Sequence, residues 1–161
     1  MITLYNIKTK TIDLIRHKIK DTDMPVGCNK FQFTDPTFRV AVLEWRANPI
    51  EAEATYGHIS EWDVSQVKNM DGIFRNAEAF NSDISKWDVG NVTNMDRMFC
   101  GAKAFNPDIS KWNVGNVRKM DSMFCGAEEF NQDISGWDIG KVRKMDSMFR
   151  EARAFNQDIS G

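Results

Sequence analysis

ISKWDVGNVTNMDRMFCGAKAFNPD, residues 84–108, returns almost unchanged as ISKWNVGNVRKMDSMFCGAEEFNQD, residues 109–133, with 18 of 25 positions identical. Trp62, Trp87, Trp112 and Trp137 each follow the last by 25 residues, so the period holds without gaps. Four full copies run over residues 59–158, and Ile159-Ser160-Gly161 opens a fifth. A fixed period of this length marks a stacked array. No copy can bury its apolar face alone, so the fold is read per repeat.

Within residues 84–108 the apolar positions Ile84, Trp87, Val89 and Val92 fall as I-xx-W-x-V-xx-V. The spacing is similar to the LxxLxL strand segment of leucine-rich repeats. It predicts a short strand with Trp87 and Val89 turned inward and Lys86, Asp88 and Gly90 outward. Further on, Met95, Met98, Phe99 and Ala102 stand at i, i+3, i+4 and i+7. That stripe predicts a helix of about two turns. Asp71, Asp96, Asp121 and Asp146 fall in its first turn, where the helix dipole favours a carboxylate by roughly 0.3–1 kcal/mol. The expected class is α/β: a right-handed leucine-rich-repeat-like solenoid with a parallel β-sheet face, short helices on the opposite face and an N-terminal helical cap.

The flanking chain divides into two parts. Residues 1–33 form an N-terminal extension: residues 2–10 are weakly strand-like, and Ile12, Ile15 and Ile19 share one face of a short amphipathic helix. Turn formers follow from Asp21 to Lys30. Residues 34–58 are expected to be a capping helix and lead-in segment. Thr34-Asp35-Pro36 opens that helix, Phe38, Ala41, Val42 and Trp45 form its buried stripe, and Asn48-Pro49 ends it. A terminal cap is needed because the first repeat has no preceding neighbour to cover its apolar edge. Residues 59–161 are the repeats.

Composition removes several function classes. With 42% hydrophobic residues the chain can bury a core. A net charge of −2, from 21 basic and 23 acidic residues, argues against general attraction to nucleic acid or an anionic membrane. Three cysteines without a CxxC pair indicate neither a disulfide framework nor a zinc site. Residues 1–20 lack a signal-peptide apolar core, and no transmembrane span is expected. His17 and His58 lie in unrelated contexts, and no nucleophile motif or glycine-rich phosphate loop occurs. The chain reads as non-enzymatic, with no catalytic residue, no cofactor and no metal.

The block FNxDISxWDVxxVxxMxxMFxxA resembles the 25-residue repeat of the BspA-like leucine-rich-repeat surface proteins, also found in mycoplasma-type lipoproteins. Residues 41–67, AVLEWRANPIEAEATYGHISEWDVSQV, are similar to the region that precedes their first repeat. The resemblance implies a cell-surface or secreted protein that binds partners or adheres.

Several columns of the array admit two readings. The tryptophans are expected in the core, where a buried aromatic supplies much of the apolar stabilisation, with a sugar-stacking platform as the alternative. The methionine columns read as core filling. Asp83, Asp108, Asp133 and Asp158, each two residues after Asn81, Asn106, Asn131 and Asn156, are expected to cap a tight corner; a calcium row is the alternative. Cys100 and Cys125 share one position, with Arg75 and Arg150 at that position in the outer copies. Placed on the helical side, they are expected too far apart for a disulfide and therefore free.

Recognition is sought where the copies differ, because a core must repeat while a binding face can vary. The outward positions give Lys86, Asp88, Lys111, Asn113 and Asp138 as candidate binding residues. Arg118, Lys119, Arg143 and Lys144 add a basic strip on the last two copies, although a solvated charged edge gives the same pattern. The expected function is recognition of a protein or glycan through the solenoid surface, with no nucleic acid and no membrane span. Its alternative is a structural module, a monomer or weakly self-associating, stacking end to end through an open last coil.

Overall fold

The structure is a computed structural model and describes residues 31–159. Residues 31–161 belong to one compact unit. The amphipathic helix, the strand-like run and the loop expected within residues 1–30 lie outside the described residues.

Helix α1 spans Asp35–Ala47, with Pro36 in its first turn, where a missing N–H breaks no helical bond. The Thr34 N–H donates to Thr37 Oγ1 at 2.9 Å and fixes the start. Phe38, Ala41 and Val42 form its buried face. Asn48 ends α1 and caps α2, Pro49–Tyr56, accepting the Glu51 N–H on its Oδ1 at 3.4 Å. A 3₁₀ turn, Ile59–Glu61, leads into the repeats.

The repeats correct the expected fold class. Among the described residues there is no β-strand, no sheet and no helix besides α1, α2 and that 3₁₀ turn. Parallel pairing is limited to isolated bridges, Gln32 with Asp63, Asn69 with Asn94, Asn94 with Lys119, and Lys119 with Lys144. The leucine-rich-repeat solenoid with a sheet on one face and helices on the other is not what this sequence builds.

The reason lies in the spacing of three. In repeat 2 (residues 84–108) the N–H groups of Trp87, Val92, Met98, Ala102 and Phe105 bond to the carbonyls of Ile84, Val89, Met95, Phe99 and Ala102, at 2.9–3.2 Å. Each bond closes a β-turn whose first and last residues are apolar. A turn brings those two ends together, so both side chains enter the core. I-xx-W and V-xx-V are therefore corners.

The segment expected to be helical is also turns. The N–H groups of Met95, Arg97, Phe99 and Gly101 leave their own repeat and bond to the Lys119, Asp121, Met123 and Cys125 carbonyls of repeat 3, at 2.7–2.9 Å. A helix would need those donors for its own i−4 carbonyls. Positive φ at Arg97 (53°) and Gly101 (74°) breaks any right-handed helix every four residues. The same ladder links repeat 1 (residues 59–83) to repeat 2 and repeat 3 (residues 109–133) to repeat 4 (residues 134–158).

Side chains stack in columns under this backbone. Phe74, Phe99, Phe124 and Phe149 form one, with ring centroids 5.8, 5.8 and 5.7 Å apart and nearly parallel planes. Phe80, Phe105, Phe130 and Phe155 form a second, each within 4.0 Å of its partner in the first. Trp87, Trp112 and Trp137 are buried, and each indole N–H donates to the carbonyl of Ile59, Ile84 or Ile109 in the preceding repeat, at 2.9–3.2 Å.

Helix α1 matches the free edge of repeat 1 group by group. The Asp35 Oδ1 accepts the Lys68 and Asn69 N–H groups at 2.6 and 3.0 Å, where further along the array the preceding repeat offers a backbone carbonyl to the equivalent Thr93 and Arg118 donors. Arg39 and Arg46 donate to the Asp71 and Arg75 carbonyls at 3.0 and 3.2 Å. Those carbonyls stand where Asp96 and Cys100 of repeat 2 accept from repeat 1. Phe38 packs on Trp62 and Trp87, and Trp45 on Phe80.

Candidate functional site

The basic strip is brought together as one surface. Lys119 and Lys144 are bridge partners, and the Arg143 N–H donates to the Arg118 carbonyl at 2.9 Å. Equivalent residues in paired backbones of this kind lie about 4.8 Å apart. Arg118, Lys119, Arg143 and Lys144 are all exposed. Among the described residues, no carboxylate forms an ion pair with any of the four.

Four other cations of the array are matched across repeats. Lys86 lies 2.9 Å from Glu61, one period earlier, and this hydrogen bond, with the Glu61 charge, raises the Lys86 pKa. Lys103 meets Glu78 at 3.3 Å, Arg153 meets Glu128 at 3.4 Å, and Arg97 meets Asp71 at 3.6 Å. The column Glu78, Lys103, Glu128, Arg153 alternates in sign. Much of the variation between copies, Lys86 included, thus serves neighbouring layers.

The Asp88 row is exposed yet committed to the backbone. Asp88, Asn113 and Asp138 each accept the N–H of Gly90, Gly115 or Gly140 two residues on, at 3.0, 3.2 and 3.0 Å. A Cβ built on Gly115 would stand 3.2 Å from the Asp138 carboxylate and 3.4 Å from Asn113 Oδ1. Glycine leaves room for the stacked row. No hydrogen bond or ion pair joins this row to the basic strip among the described residues. Lys111 is exposed on the Lys86 column.

At the Asn-x-Asp corner the carboxylates of Asp83, Asp108 and Asp133 accept the N–H of Ser85, Ser110 and Ser135 at 2.9–3.0 Å. Hydrogen bonds from those serines hold all three carboxyls below the ordinary value of 3.8. The asparagines bond from layer to layer, Asn81, Asn106 and Asn131 accepting the N–H of Asn106, Asn131 and Asn156 at 2.9–3.0 Å. Among the described residues no cluster of three or more His, Cys, Asp or Glu side chains could hold a metal ion.

Sequence reading missed Asp35, Arg39 and Arg46 as the groups that satisfy the first layer. A clue was present: a helix laid against an array edge must supply one acceptor and several donors, and α1 carries them four and seven residues apart.

The geometry defines a class of protein: a stack of 25-residue, turn-built layers closed at one end by helices and carrying an unpaired cationic strip on its last two layers. The chain belongs to the family described as "Mycoplasma protein of unknown function, DUF285", whose model matches residues 47–161. No curated protein and no solved structure matches the chain. No helix among the described residues is long and apolar enough to cross a membrane.

Proposed function

We propose that this chain is a non-enzymatic binding module that engages an acidic protein or glycan surface through Arg118, Lys119, Arg143 and Lys144. The carrying observation is contrast. Lys86, Arg97, Lys103 and Arg153 each meet a carboxylate about one period away, while these four stand together, exposed and without one. A rigid backbone ladder fixes their spacing before binding, which reduces the ordering cost of association. Placement at a cell surface, as the likeness to BspA-like repeats implies, fits this reading.

The test is an array of glycans and surface proteins read with the intact chain and with R118E/K119E/R143E/K144E. Binding is expected to disappear in the variant and to weaken steeply with salt. Lys86→Glu should leave it in place, because that lysine is held by Glu61. A hit that survives the fourfold reversal removes the strip as the binding surface.

A second reading, self-assembly, is favoured by repeat 4. Ile139, Met145 and Ile159 are 44%, 39% and 51% exposed around an apolar cleft of about 110 Å³, whereas Val114 and Met120, in the columns of Ile139 and Met145, are buried beneath repeat 4. A second copy would cover this surface. Light scattering tests it, and a strict monomer at high concentration removes it.

A further inference from the structure

We propose that Cys100 and Cys125 are a dithiol site that closes to a disulfide between repeats 2 and 3 on exposure to a hydroperoxide. The inference is independent of the binding function proposed above. Both cysteines are free thiols and both are half-buried. They occupy one column, which carries Arg75 and Arg150 in the outer repeats, so this is the only position where the array stacks two thiols among the described residues.

The turn-built backbone brings them within reach. The Gly101 N–H donates to the Cys125 carbonyl at 2.7 Å, which locks the two cysteine segments side by side. One residue further on, a Cβ built on Gly126 would lie 3.7 Å from the Gly101 Cα. With a bond of about 1.5 Å behind that Cβ, the two Cα atoms are no more than about 5 Å apart. Disulfides span Cα separations of about 4.4–6.8 Å. The sequence placed these thiols on separate helices and hence too far apart; on adjacent rungs of a ladder they stand one residue from a glycine pair whose spacing falls in this range. Burial, and then the neighbouring Cys100, push the Cys125 thiol up, so Cys125 keeps its proton.

The chemistry balances in two steps. The Cys100 thiolate attacks the terminal oxygen of the hydroperoxide; the S–O bond forms, the O–O bond breaks, and an alcohol or water leaves. The Cys125 sulfur then attacks the Cys100 sulfenic acid. The S–S bond forms, the S–O bond breaks, and hydroxide departs with the Cys125 proton as water. Two thiols lose two electrons to one hydroperoxide. The product ties repeat 2 to repeat 3 beside Gly101 and Gly126.

The experiment oxidises the full chain with hydrogen peroxide, digests it without reductant and maps the peptides by mass spectrometry. The expected result is a linked pair carrying Cys100 and Cys125, lighter by about 2 Da than the two thiol peptides and separated by dithiothreitol. Cys28→Ser should keep that link, and the chain should remain monomeric on a non-reducing gel. In Cys125→Ser, Cys100 should accumulate as a sulfenic acid trapped by dimedone. Sulfinic acid at either cysteine in place of the link, a link to Cys28, or disulfide-bonded dimers would overturn the proposal. The map of the unsubstituted chain decides the matter even if a variant fails to fold.

Discussion

Gly101 and Gly126 occupy the same position in successive repeats, both with left-handed φ, 74° and 68°. Their surroundings differ. A Cβ on Gly101 would meet Asn76 Oδ1 at 2.6 Å, while a Cβ on Gly126 has nothing closer than 3.7 Å. Gly126→Ala therefore pays only the backbone cost, about 1 kcal/mol. Gly101→Ala must in addition swing the Asn76 side chain, for a total of about 1–3 kcal/mol. Chemical denaturation of the two variants checks the order. Equal losses would mean that the Asn76 contact is not a constraint. The same positions explain what the sequence concealed. Apolar residues at i, i+3, i+4 and i+7 satisfy both a helix and a run of three-step turns, so Met95, Met98, Phe99 and Ala102 could not decide between them. The deciding signal was Asn76, Gly101 and Gly126 in one column, residue types that tolerate positive φ and would be poor choices at the centre of a helix.

At the scale of elements, α1 acts as a surrogate layer. Asp35 supplies the acceptor that a preceding repeat would supply to Lys68 and Asn69. Asp35→Ala is expected to cost about 1–2 kcal/mol. Asp35→Asn, which keeps a carbonyl at the same place, should cost less. Amide exchange at Lys68 and Asn69 reports the loss directly, and unchanged exchange in Asp35→Ala would show that water replaces the carboxylate without penalty. The capping helix itself was legible from Thr34-Asp35-Pro36 and the Phe38, Ala41, Val42 stripe; its polar contacts were not, because they depend on the edge it covers. The acidic corner makes a second prediction. Serine hydrogen bonds lower the carboxyl pKa of Asp83, Asp108 and Asp133 in the folded state. Their stabilisation is complete above the unfolded value of 3.8 and is lost as pH falls through the lower folded values. Asp108→Asn should flatten the acid limb of the stability curve by lowering stability at neutral pH toward its acid value. A limb of unchanged steepness would assign acid unfolding to other groups.

For the whole molecule, stability should vary from layer to layer, since each repeat is held chiefly by its immediate neighbours. Repeats 2 and 3 are covered on both sides, and Met95, Met98, Met120 and Met123 are fully buried. Repeat 4 leaves Met145 39% exposed and Ile139 44% exposed, with Trp137 still buried beneath its own layer. The N–H groups of Met95, Arg97, Phe99 and Gly101, and of Met120, Ser122, Phe124 and Gly126, all lie in interlayer bonds. Hydrogen exchange at the four amides of repeat 2 should require global unfolding, while the four of repeat 3, whose acceptors lie in repeat 4, should exchange when repeat 4 opens. The Arg150 and Ala152 amides, bonded only within their own repeat, should exchange through a smaller opening of repeat 4. Phe124→Ala removes the ring that stacks on Phe99, Phe130 and Phe149, and is expected to cost about 3–5 kcal/mol. It should lower protection in repeats 3 and 4 more than in repeat 1, where α1 supplies independent support. Equal loss throughout the array would show that the layers unfold as one cooperative unit despite their nearest-neighbour construction.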